Sequence, residues 1–112
     1  LSAANTGLDG TGTIVDGPTG ATDGTRVNFI KIKAQVTTTT GMIRIYIKKS
    51  GGSYRIYDEA NVTAITKSAT VRAYEYTYRP PDDLFLQSGD VLSFSTEKSE
   101  AIKVWVSTED LS

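Results

Sequence analysis

Met42-Ile43-Arg44-Ile45-Tyr46-Ile47-Lys48-Lys49 is the stretch whose reading decides the fold. Ile43, Ile45 and Ile47 alternate with Arg44, Tyr46 and Lys48, and successive side chains of a strand point to opposite faces. The run therefore predicts a strand with one face in a core and one in water. Four threonines and Gly41 precede it and Ser50-Gly51-Gly52-Ser53 follows, which places a turn signal at each end. It reads as a central strand of a small antiparallel β-sandwich.

Working outward, residues 25–37 read as the longest strand. Ile30, Ile32, Ala34 and Val36 lie on one face, against Lys31, Lys33 and Gln35 on the other. Val27 and Phe29 have the opposite parity, so either a β-bulge near Asn28 returns them to the core side or both faces are covered there. The threonine turn predicts a hairpin between this strand and the one at 42–49. Residues 54–59 predict a third strand of the meander nearer an edge, and the stretch around Lys67-Ser68-Ala69 an irregular crossover between two sheets.

In residues 72–78, Tyr74, Tyr76 and Tyr78 share one face. Arg79-Pro80-Pro81-Asp82-Asp83 cannot continue a ladder, because proline lacks the donor and restricts the residue before it. Leu84-Phe85-Leu86, a tight Gln87-Ser88-Gly89-Asp90 turn and residues 91–96 follow. In the last strand, at 101–107, Ile102, Val104 and Val106 oppose Lys103, Trp105 and Ser107. Towards the N-terminus, residues 11–16 predict a short strand, Gly17-Pro18-Thr19-Gly20 a turn, and residues 1–10 a loosely ordered arm.

The sum is roughly seven to nine short strands, a two-sheet, jelly-roll-like arrangement, with no helical period. The predicted core is Phe29, Ile30, Ile32, Ala34, Val36, Ile43, Ile45, Ile47, Ile56, Leu84, Leu86, Leu92, Phe94, Ile102, Val104 and Val106. At 112 residues the chain is one domain, and it can bury about two thirds of its unfolded surface without a metal or disulfide staple. It begins on Leu1 rather than Met, as a mature product or a piece of something longer would.

Composition narrows the chemistry. Histidine and cysteine are both absent, which removes the commonest general base, thiol nucleophiles, disulfides and zinc-thiolate sites. A Ser-His-Asp hydrolase is therefore excluded. A net charge of -1 gives no positive field for a phosphate backbone, so no nucleic-acid partner is expected. No apolar run approaches bilayer length, so no membrane partner is expected either.

The acidic pairs Asp58-Glu59 and Asp82-Asp83 do not converge on one cleft, since strand neighbours diverge and the second pair sits in a proline turn. Asp9, Asp16 and Asp23 recur every seven residues, but Asp-Gly is the ordinary turn dipeptide, and no metal or cofactor is expected. The expectation is a noncatalytic protein.

The aromatic residues remain. Tyr74, Tyr76 and Tyr78 could stack on sugar rings, which would make the chain a carbohydrate-binding module with a surface glycan as partner, or they pack within the sandwich. Tyr46 and Trp105 lie opposite their strands' aliphatic faces, so they predict a contact surface with Arg44, Lys48 and Lys103 as polar surround. A loop or the N-terminal arm over the indole is the competing arrangement.

The order Leu8-Asp9-Gly10-Thr11-Gly12-Thr13, Gly24-Thr25-Arg26-Val27, Thr39-Thr40-Gly41-Met42-Ile43 and Leu86-Gln87-Ser88-Gly89-Asp90-Val91-Leu92 resembles small β-sandwich structural proteins of tailed bacteriophages. The resemblance spans nearly the whole chain and rests on strand and turn patterns rather than on active-site residues. It implies a virion component, a capsid decoration protein or a tail or fibre module, assembled in the host cytoplasm. Its implied partners are other virion proteins and copies of itself, and a homo-oligomer is expected. The tyrosine-rich strand, Pro80-Pro81 and the acidic Ser107-Thr108-Glu109-Asp110 run depart from that pattern.

Overall fold

A computed structural model of the chain describes residues 4, 5, 7, 12–80 and 84–110. Among these there is no helix. There are eight strands, β1 (Val15–Thr19), β2 (Thr25–Ala34), β3 (Gly41–Lys48), β4 (Tyr54–Val62), β5 (Glu75–Tyr78), β6 (Leu84–Leu86), β7 (Val91–Thr96) and β8 (Ile102–Asp110). They form two antiparallel sheets, and the protein is the β-sandwich its alternation predicts. The first sheet has the order β1-β7-β3-β4. In the second, β2 is central. It pairs with β8 all the way from Thr25 to Ala34, so β5 and β6 share its other edge.

The strand quoted first is central in its sheet. Ile43, Ile45 and Ile47 lie opposite Thr96, Phe94 and Leu92 of β7, and Ile43 and Ile45 are fully buried. Ile30, Ile32, Ala34, Leu84, Leu86 and Ile102 meet them from the second sheet. Each such side chain contributes roughly 1.5 to 3 kcal/mol of burial.

The bulge falls where the parity conflict in β2 requires it. Val27 pairs with Thr108 and Phe29 with Ser107, so Asn28 is the extra residue. Val27 is thereby brought into the core alongside Ile30, but Phe29 is not: it is half-buried beneath the Arg79 guanidinium, 5.4 Å from the ring centroid.

Several expectations are corrected. β2 and β3 form no hairpin, because the threonine link crosses between sheets. Thr38 is tied there by backbone hydrogen bonds to Ile65 and by its hydroxyl to the Thr63 carbonyl. The Gln87 to Asp90 turn also changes sheets, and β6 and β7 do not pair. Gly17 and Pro18, expected in a turn, lie inside β1, where an edge strand tolerates the missing donor at a break in register between Asp16 and Thr19.

Val36 and Ile56 leave the core, at 40% and 42% exposure. β2 has ended before Val36. In β4 the partner of Ile45 is Asp58 and that of Tyr46 is Ile56, so the bulge at Tyr57 turns Ile56 to the outer face. Of residues 1–10 only 4, 5 and 7 are described. Asn5 is buried, Ala4 bridges Thr96, and the Asn5 amide donates to the Thr96 carbonyl at 2.8 Å.

Between the Ile30–Tyr78 and Val27–Leu84 pairs β2 spends three residues and its partner six. β5 and β6 are therefore two halves of one strand, interrupted where Pro80 cannot serve the ladder. Asp82-Asp83 and Asp9 lie outside the described residues.

Candidate functional site

The two residues expected to share a contact surface are on opposite sides of the molecule. Tyr46 belongs to the outer face of the first sheet and Trp105 to that of the second. Tyr46 is not exposed at all. Its neighbours on β7 are the small Ser93, directly opposite, and Ser95 on the same face. Gly7 lies over its hydroxyl end: the Tyr46 hydroxyl donates to the Gly7 carbonyl at 3.4 Å and accepts from Ser95 Oγ at 3.5 Å.

Arg44 is buried too. Its Nε meets Glu59 Oε1 at 3.3 Å and an Nη meets Glu97 Oε2 at 3.9 Å. Lys48 is half-buried, its ammonium 5.1 Å from the centre of the Tyr54 ring, which stands edge-on to Tyr46. Tyr54 donates to Asp16 Oδ1 at 2.6 Å and Ser93 Oγ to the same oxygen at 3.0 Å. The Tyr54 bond, foremost, holds the Asp16 carboxyl below its ordinary value and raises the Tyr54 phenol. Asp16 is thus used internally. The small, regularly spaced Ser93 and Ser95 were the signal that Tyr46 would be covered.

The tyrosines of residues 72–78 do share a face, and it is the inner one, where Tyr74 and Tyr78 are buried. β5 and β4 are neighbouring edges of the two sheets, and two phenols close the gap between them. Tyr74 donates to the Asn61 carbonyl at 2.6 Å, and Tyr78 donates to Asp58 Oδ2. Both rings are 5% exposed, and Tyr76 between them is 44% exposed. Burial first, and then the Asp58 carboxylate, raises the Tyr78 phenol far above its ordinary value; burial first, and then Tyr76, raises that of Tyr74. Asp58 therefore acts as a clamp, while Glu59 turns the other way to Arg44.

The opposite flank is open. Between β1 and β8 runs a groove of about 500 Å³ walled by Val15, Pro18, Phe94, Val104 and Val106. No described strand pairs with the outer edge of β8. Trp105 stands beside this groove, 51% exposed, opposite Lys31 across the β2–β8 ladder; Lys103 is opposite Lys33. Of the expected contact residues, Trp105 and Lys103 are the pair the fold leaves on the surface together. A half-exposed indole beside an unpaired strand edge can bind a protein strand by ladder hydrogen bonds and apolar contact.

No family model, curated protein or solved structure matches this chain.

Proposed function

We propose that the chain is a noncatalytic structural module that works by protein–protein contact, a virion component of the kind its resemblance to tailed-phage β-sandwich proteins implies. The observation that carries this reading is the open β1–β8 flank, where the one tryptophan of the chain stands at 51% exposure beside a strand edge that no described strand occupies. Large exposed aromatics anchor interfaces because they bury much area at small entropic cost. The absence of His and Cys from the sequence points the same way, since it removes the usual nucleophile and base pairs.

The test is fractionation. An antibody raised against the chain is applied to gradient-purified particles from induced source cells. The chain should sediment with the particles in fixed ratio to their major protein. Its confinement to the particle-free extract overturns the virion reading.

A further inference from the structure

A net charge of -1 conceals an uneven distribution. On the outer face of the second sheet Lys33 stands directly opposite Lys103, and Lys31 opposite Trp105. Outward positions along a strand are about 7 Å apart and cross-strand partners about 5 Å, so three lysines and the indole spring from the corners of one small rectangle. Beside Lys33 the crossover loop adds two more cations. A cleft of about 250 Å³ is walled by Lys33, Lys67 and Arg72, with the hydroxyls of Ser68 and Thr70 along it. The loop holds its shape by its own bonds: the Ser68 amide donates to the Val71 carbonyl at 3.2 Å, and Ser68 Oγ accepts from the Thr70 and Val71 amides.

Five cations therefore share this patch, and one carboxylate answers them. Glu75 meets Arg72 at 3.1 Å, Lys31 at 3.7 Å and Lys33 at 3.8 Å. Among the described residues it is the only acid in ion-pair contact with any of the five. Lys67 is held by the neutral Gln35 carbonyl at 3.1 Å, and Lys103 has no ion-pair partner. Like charges directly opposite on a sheet repel, as Lys33 and Lys103 are placed to do. At the far end of the same face the charges balance instead, with Arg26 opposite Glu109.

We propose that this face binds a carboxylate-rich segment of a partner protein, its acidic side chains entering between Lys33, Lys103 and the cleft while an apolar residue beside them covers Trp105. The inference rests on the reading of the chain as an assembly module and supplies the chemistry of its partner. Charge complementarity selects an anion. A polypeptide is favoured over a nucleic acid because the chain as a whole is slightly negative and offers a long polyphosphate no distant attraction, whereas an indole with a charged border has the layout of a protein interface. In the free chain the patch holds a repulsion that the bound carboxylates relieve, so stability and binding should respond to Lys103 in opposite directions.

Tryptophan emission tests this, because Trp105 is the only tryptophan. The full chain is titrated with a peptide of one leucine between two runs of three glutamates. The expected result is a saturable blue shift with a dissociation constant below about 1 mM, weakened about ten-fold between about 50 and 500 mM NaCl. Lys103→Glu should weaken binding about ten-fold or more and at the same time raise the melting temperature by about 1–5 °C, since it replaces a repulsion across the ladder with an attraction to Lys33. Arg55→Glu, the same charge change on β4, should leave the affinity within about two-fold.

No emission change at about 1 mM peptide, a Lys103→Glu variant that binds as the parent does, or an equal loss in Arg55→Glu overturns the proposal. So does tighter binding of oligothymidylate or of a heparin fragment of equal charge, which would give the face to a nucleic acid or a glycan. The parent's salt dependence and Lys103→Ala, weaker by about three-fold, decide the matter should Lys103→Glu fail to fold. A chain that sediments with particles but ignores the peptide would defeat the acidic partner and leave the assembly reading intact; a chain that takes the peptide but is absent from particles would do the reverse.

Discussion

The two flanks of this sandwich are built from the same materials and end differently. On the β4–β5 side, Tyr74 and Tyr78 reach across to Asn61 and Asp58, and their aromatic rings are almost wholly covered. On the β1–β8 side the aromatic is Trp105, which points out of the second sheet and makes no bond across the gap, leaving a groove of about 500 Å³. What separates them is strand parity. An aromatic on the inward parity of an edge strand closes the seam, and one on the outward parity leaves the seam open and the ring free to dock.

The most drastic way to break this contrast is to remove the core both flanks share. Ile45→Asp places a carboxylate where no water reaches, at a cost of more than about 4 kcal/mol, and should abolish the cooperative melt. A melt near the parent temperature would refute the strand assignment.

Next is Gly20→Ala. A Cβ on Gly20 would lie 2.0 Å from the Gln87 carbonyl oxygen, where the end of β1 is laced to the turn before β7. The backbone would have to move, costing about 3 kcal/mol, and denaturant unfolding should show the loss.

Tyr78→Phe cuts the closed flank alone and leaves Asp58 short of a donor, a loss of about 1–3 kcal/mol by thermal melting. The same residue governs the alkaline limb. Its folded-state phenol is raised above the unfolded value near 10, so its contribution is complete below about pH 10 and fades as pH climbs toward the folded value. The parent's stability should fall with pH above 10 more steeply than that of Tyr78→Phe, and equal slopes would dissociate the hydroxyl from the seam.

The smallest effect belongs to the open flank. In dilute solution Trp105→Ala should change folding stability by no more than about 0.5 kcal/mol, since the indole is half in water and bonds nothing across the groove. A loss as large as that of Tyr78→Phe would mean the two flanks are not different in kind.

The alternation at Ile43, Ile45 and Ile47 was enough to identify the architecture, and the clash of parity at Val27 offered two repairs, a bulge near Asn28 or two covered faces, of which the ladder shows the bulge. Hydrophobic periodicity reports which way a side chain points from its own strand, and for Ile102, Val104 and Val106 that was sufficient. It does not report which sheet the strand joins. The links after β2 and after β6 both change sheets, although their turn residues would suit hairpins equally well. A turn's local chemistry is the same whether its strands pair or part.

The contact residues divide along the same line. Trp105 was expected on the outside and is there, 51% exposed, because no described segment crosses its face of the sheet. Tyr46 has the same outward parity and is fully covered, because Ser93 and Ser95 come alongside it from a strand far away in sequence and residues 5 and 7 close over them. The sequence by itself determined the strands, their oily faces and most of the core, since each follows from neighbours one or two positions away. Only the tertiary structure decided which outward aromatics meet water, because that depends on which distant segments the packing of the sheets brings over them.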